Sequence, residues 1–149
     1  QVAGRAGRAE VPGVALLQSF QPEHPVIRAI LSGDEEGFWR AEADERRATG
    51  MPPFGRLAGI VVSSPDAAQA FDLANHLARS DAPITAIGGT VYGPAPAPIA
   101  RIRGRHRVRL LVKAPRGAPI QGALRDWVGG LKLPGALRLS VDIDPQSFY

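Results

Sequence analysis

Cysteine is absent from the 149 residues, which excludes disulfides and thiolate metal sites. The three histidines, His24, His76 and His106, stand far apart in the sequence, so no metal centre is expected in this chain. Lysine occurs only at Lys113 and Lys132. Neither lies in a glycine-rich loop followed by serine or threonine, so nucleotide binding and hydrolysis through a P-loop are excluded. No apolar stretch approaches the roughly 18 to 20 residues that a bilayer-spanning helix needs, and no charged start followed by an apolar run marks a signal peptide. A cytoplasmic protein with no membrane partner is expected. Aromatic residues are few, at 6% of the chain, and Tyr92, Phe148 and Tyr149 are the candidate base-stacking platforms outside the expected core. Acids are missing from one whole window. Between Asp81 and Asp126 there is none, whereas Arg101, Arg103, Arg105, Arg107, Arg109, Lys113, Arg116 and Arg125 all fall there. The modest net charge of +4 therefore conceals a strongly basic segment between two slightly acidic flanks.

The length suits one ordinary domain, or a small domain with an extra piece, and 44% hydrophobic residues suffice for a packed core. Residues 11 to 20 (VPGVALLQSF) form an apolar run that reads as one buried strand at the edge of a larger sheet. Two helices are expected at about 24 to 31 and 34 to 48, with Ser32 and Glu35 fitting a capping box, and Glu36/Arg40 and Glu42/Arg46 spaced as i,i+4 ion pairs. Gly50-Met51-Pro52-Pro53-Phe54-Gly55 stops the second helix, and the domain boundary is placed there, separating residues 1–50 from 51–149.

Beyond Arg56 the periodicity alternates. Leu57 to Ser63 reads as a strand, and Ser64-Pro65 as the N-cap and first residue of a helix whose apolar stripe is Ala67, Ala70, Phe71, Ala74, Leu77 and Ala78. Residues 84 to 92 read as a weak strand leading into the extended GPAPAP. In the strand at 105–114, Val108, Leu110 and Val112 share one face, and Arg107, Arg109, Leu111 and Lys113 the other. A helix from Pro119 carries Ile120, Leu124, Trp127, Val128 and Leu131 on one stripe, and Leu137 to Ile143 alternates as a last strand. The order β-α-β-β-α-β is that of an α+β, ferredoxin-like split βαβ domain, an antiparallel sheet with two helices on one face.

The arginines at 101, 103, 105, 107 and 109 carry the strongest chemical signal. In an extended backbone, residues two apart lie roughly 6.5 to 7 Å from each other on one face, a spacing comparable with the phosphates of a stretched single strand. Five guanidinium groups without interspersed acids repel one another and call for an anionic partner. Gly104 marks a turn within this series. Trp39 and Trp127 read as packing residues. Asp142 and Asp144, although paired in sequence, read as structural, because Asp144-Pro145 forms a turn at the sheet end.

Gln1-Val2-Ala3-Gly4-Arg5-Ala6-Gly7-Arg8 resembles motif VI of superfamily 2 helicases. PPFGRLA (52–58), GPAPAPI (93–99), LLVKAP (110–115 with its preceding arginines) and VDIDPQSF (141–148) are similar to the primosomal protein N-prime (PriA) family of replication-restart helicases, and the resemblance extends over essentially the whole chain. It implies a fragment that begins inside motif VI at Gln1, with residues 1–50 the C-terminal tail of a helicase motor lobe and residues 51–149 a DNA-binding domain. It further implies a parent enzyme that unwinds branched DNA in the 3′-to-5′ direction with ATP and magnesium, carries zinc, and acts with single-stranded-DNA-binding protein and other primosome proteins. In the family, Gln1, Arg5 and Arg8 would contact ATP held by the opposite lobe. The zinc-binding cysteines and Walker motifs lie upstream of motif VI, so the fragment alone is expected to hold no cofactor and to be non-catalytic. The family's pocket for the acidic tail of the single-stranded-DNA-binding protein uses an arginine and a glutamine: Gln121 matches the glutamine, and Arg116 stands one position from the arginine. The DNA-binding residues expected are Arg101, Arg103, Arg105, Arg107, Arg109, Lys113 and Arg116. A non-enzymatic RNA-binding or ribosome-associated domain, and a module that chiefly docks proteins, are the alternatives that the same basic ferredoxin-like pattern allows.

Overall fold

The computed structural model of the chain describes residues 13–145. Between residues 42 and 43 the chain divides into two compact units. In the first, helix α1 (Pro25–Ser32) begins with proline at its first position, and the His24 ring accepts the amide of Val26. Helix α2 (Glu35–Thr49) straddles the division. The carboxylate of Asp34 accepts the amide of Gly37 at 2.9 Å and so caps α2, whereas Ser32 belongs to α1. The capping box expected at Ser32/Glu35 is thus replaced by an aspartate cap, whose short side chain reaches the third amide directly. Arg40 pairs with Glu36 at 2.7 Å, as expected.

Two readings of this unit are corrected. Residues 13–19 carry no regular secondary structure, and Val14, Leu16 and Phe20 are exposed, so the buried strand at 11–20 is not formed over its described part; residues 11 and 12 lie outside the described residues. An apolar run makes a strand only where a ladder partner satisfies its amides and carbonyls, and no strand pairs with it among the described residues. Trp39 is 58% exposed and lies edge-on to Phe38, so it is not a core residue.

In the second unit α2 ends where Gly50 and Met51 donate their amides to the carbonyls of Arg47 and Arg46, a Schellman closure of the last turn. Then follow β1 (Gly55–Ser64), α3 (Ala67–Arg79), the short α4 (Ala82–Thr85), β2 (Thr90–Ile102), β3 (Arg105–Pro115), α5 (Ile120–Gly129) and β4 (Arg138–Ile143). The sheet order is β2-β3-β1-β4, with β3 antiparallel to β1 and β2, and β4 antiparallel to β1. β1 and β2 therefore run parallel with β3 inserted between them, the split βαβ topology expected from the sequence.

Alternation along each strand decides what lies beneath the helices. Ala58, Ile60 and Val62 of β1 and Val108, Leu110, Val112 and Ala114 of β3 join Ala70, Ala74 and Leu77 of α3 and Ile120, Leu124 and Trp127 of α5 in one buried cluster. The indole N–H of Trp127 donates to the carbonyl of Leu77 at 3.2 Å, joining the two helices. The helix after Ser64 starts two residues later than expected. Asp66 caps it by accepting the amide of Ala68, and the buried Ser64 hydroxyl accepts the amide of Asp66 instead. The strand expected at 84–92 is also corrected: residues 82–85 form α4, Ile84 is buried in the core, and β2 begins only at Thr90. A helical turn places Ile84 inward while Pro83 occupies its start, where a missing amide costs nothing.

Asp144 is structural, as read from the sequence. Its carboxylate accepts the Arg56 Nε at 2.7 Å and the Leu57 amide at 3.0 Å, and its own amide donates to the Leu57 carbonyl at 2.8 Å. Asp144→Ala is expected to cost about 1–2 kcal/mol, since a charge-assisted pair and one amide partner are lost together, read as a lower urea midpoint with unchanged m-value.

Candidate nucleic-acid interface

Helices α3, α4 and α5 pack on one face of the sheet, and what alternation places on the other face is read from the strand register. Arg138 of β4, Ser63 of β1 and Arg107 of β3 form one cross-strand row. Ser140, Val61, Arg109 and Ala95 form the next, followed by Asp142, Gly59, Leu111 and Tyr92. Lys113, between Leu57 and Thr90, belongs to a fourth row. Arg107 and Arg109 are two residues apart, roughly 6.5 to 7 Å along β3, and Arg138 stands two strand spacings from Arg107, roughly 10 Å across the sheet.

The second and third of these rows, with Arg107 of the first, line a groove of about 590 Å³ that draws residues from all four strands, with Val61, Leu111 and Tyr92 in its apolar part and Arg107 and Arg109 in its cationic part. The groove owes its shape partly to Gly93. Its φ of 101° is closed to most L side chains, and a Cβ there would stand 2.9 Å from the carbonyl oxygen of Arg109. The register between β2 and β3 slips beside it, between Tyr92 and Ala95, and again before Arg101. Tyr92 is 49% exposed, so a base could reach its ring face.

The sequence model of the family described as Primosomal protein N C-terminal domain matches residues 47–146. The chain belongs to this family. Among full-length relatives, it is 34% identical over 149 residues to the replication restart protein PriA of Rickettsia conorii, covering 100% of this chain and 22% of that protein. It is 34% identical over 148 residues to that of Treponema pallidum (97% of this chain, 22% of that protein), and 33% identical over 148 residues to that of Bacillus subtilis (97% and 18%). The chain thus spans about a fifth of the length of these relatives.

In this member of the primosomal protein N family, the residues singled out from the sequence separate into groups. Gln1, Arg5 and Arg8 lie outside the described residues. The five odd-numbered arginines do not form one row. Arg103 and Gly104, with φ of 49° and 76°, make the turn between β2 and β3, and Arg101 pairs across the hairpin with His106, one residue out of phase with the arginines of β3. Arg105 is on β3, but its guanidinium donates to the carbonyls of Ser63 and Ala136, both at 2.7 Å, and to the Ser63 hydroxyl. Arg107 and Arg109 line the groove, where Arg107 also donates to the Ile99 carbonyl at 3.4 Å. Lys113 lies toward the far end of the face, beside Gly50. Arg116 is exposed in the turn after β3, and Gln121 is exposed in the first turn of α5. Arg138 and Asp142 are not among the site residues expected from the sequence. The alternation of β4 placed them on one face, but only the register shows that this face continues from that of Arg107 and Arg109.

No helix among the described residues is long and apolar enough to cross a membrane.

Proposed function

We propose that this chain is the C-terminal part of a cytoplasmic, ATP-dependent 3′-to-5′ DNA helicase that restarts stalled replication forks, and that its open sheet face binds single-stranded or branched DNA. The observation that carries the reading is the placement of Arg107 and Arg109 in a groove that also exposes Tyr92, with Arg138 in the cross-strand row of Arg107. Guanidinium groups neutralise phosphates, and an aromatic ring accepts a base from any sequence. The chain itself binds without unwinding. It has no P-loop lysine and no cysteine, so the ATP, magnesium and zinc of the parent enzyme are held elsewhere. Arg116 and Gln121, exposed at the turn before α5 and in its first turn, are the residues that would meet the acidic tail of the single-stranded-DNA-binding protein.

The test is binding of the chain to a labelled fork and to a single strand between 50 and 200 mM salt. With about four phosphates neutralised on a single strand, affinity is expected to fall by between one and two powers of ten over that range. A flat response rules out phosphate contact. An RNA hairpin that competes better than the fork favours the RNA-binding alternative. Tight binding of an acidic tail peptide that Gln121→Ala abolishes, with no DNA binding, favours a protein-docking module.

A further inference from the structure

Asp142 stands on the same face as Arg107, Arg109 and Arg138 and lines the groove, yet no hydrogen bond or ion pair engages its carboxylate among the described residues. Its neighbour in sequence-distance two, Asp144, is fully engaged by Arg56 and Leu57. On a surface that attracts phosphates, an unengaged carboxylate weakens binding of the backbone. It contributes to affinity only where the ligand presents N–H donors.

A single strand presents such donors on its base edges, and a carboxylate offers two adjacent acceptor oxygens and no donor. Guanine is the base whose Watson–Crick edge carries two neighbouring donors, N1–H and the N2 amine. Adenine and cytosine each set one amine beside a ring-nitrogen acceptor, and thymine sets one N–H between two carbonyls. The cross-strand row supplies the rest of a base site. Tyr92 stands at one end and Asp142 at the other, three strand spacings or roughly 14 Å apart, with Leu111 and Gly59 between them. Gly59 leaves the floor of this row without a side chain, and among the described residues nothing lies within 4 Å of where a Cβ would stand.

Building on the proposed binding of single strands by this face, we infer that the row Tyr92–Leu111–Gly59–Asp142 is a guanine-preferring site, in which Tyr92 stacks on one unpaired base and Asp142 reads its N1–H and N2 amine. The site gives the domain a preference for strands carrying a guanine at one position, superimposed on sequence-independent phosphate contacts.

The experiment measures binding of the whole chain, by fluorescence anisotropy at 100 mM salt, to a ten-nucleotide oligo-dT and to versions with one central deoxyguanosine, deoxyinosine, deoxyadenosine or deoxycytidine. The deoxyguanosine version is expected to bind about tenfold more tightly than oligo-dT, as for a bidentate base contact. Deoxyinosine, which lacks the N2 amine, should lose most of that gain. Asp142→Asn should abolish the deoxyguanosine preference while tightening oligo-dT by a few-fold, since a charge that repels phosphate is removed. Tyr92→Leu should weaken every oligonucleotide by about tenfold. Equal tightening of all five by Asp142→Asn, or equal affinities in the unsubstituted chain, overturns the guanine site. Failure of the underlying reading looks different: oligo-dT itself then does not bind, or binds with an affinity that removal of Arg107, Arg109 and Arg138 leaves unchanged.

Discussion

The chain carrying Arg107→Ala, Arg109→Ala and Arg138→Ala together should bind a ten-nucleotide single strand about a hundredfold more weakly than the unsubstituted chain at 100 mM salt. Three groups on one open sheet face are removed, each within a strand spacing or two of the next. Long-range attraction falls with them. The diagnostic quantity is the slope of log affinity against log salt, which should become shallower by about two, because each phosphate neutralised on a single strand contributes roughly 0.7. Titrations at 50, 100 and 200 mM salt measure it. The loss should be similar for all sequences, since phosphate contacts carry no base information. Replacing the same three residues by lysine keeps the point charges and should recover most of the slope, though not the planar hydrogen bonds of guanidinium. A hundredfold loss with an unchanged slope would mean that the face contributes through shape or stacking, and that the cationic rows are incidental.

That placement was partly legible in the sequence. Clean alternation in β3 assigns Val108, Leu110 and Val112 to the core and Arg107, Arg109 and Lys113 to the opposite face, because period two leaves no other choice once one side is buried. The same period misled at Arg101 and Arg103. Odd numbering continues through the hairpin, but the left-handed turn at Arg103-Gly104 and the register slips of β2 interrupt the geometric repeat. A run of like residues at i, i+2, i+4 specifies one face only while the backbone stays extended and in phase. Arg138 illustrates the converse. Its own strand pattern placed it on an outer face, but its vicinity to Arg107 depends on β1 lying between β3 and β4, a non-local fact that no local pattern contains. Asp142 and Asp144 are two residues apart and point to the same chemistry in the sequence, whereas only Asp144 is bound up in the fold. The apolar run at 11–20 shows the remaining limit: hydrophobicity marks a segment for burial but does not supply the partner that would bury it.

Arg105→Ala should lower the thermal midpoint of the chain by about 10 °C while leaving the salt slope of DNA binding unchanged, the reverse of the triple variant. Arg105 belongs by sequence to the same series as Arg107 and Arg109. Its guanidinium, however, reaches back across β1 to the Ser63 carbonyl and forward to the Ala136 carbonyl, at 2.7 Å each, with a third bond to the Ser63 hydroxyl. It ties the end of β1 and the loop before β4 to the root of the β2–β3 hairpin, over separations of 42 and 31 residues. Charge-assisted bonds of this kind contribute about 1.5–3 kcal/mol, and removal of the donor leaves the partly buried Ser63 carbonyl to find water. A loss of about 2 kcal/mol in a domain of this size corresponds to roughly 10 °C. Arg105→Lys is expected to rescue part of the loss, because both carbonyls accept from the single Nη2, which an ammonium can imitate, whereas the Nε bond to the Ser63 hydroxyl has no counterpart in lysine. Calorimetry of the chain gives the midpoint, and the same titrations give the slope. If Arg105→Ala instead leaves the midpoint in place and removes about 0.7 from the slope, Arg105 releases those carbonyls to meet phosphate, and the series acts as the longer ladder that its spacing in the sequence suggests.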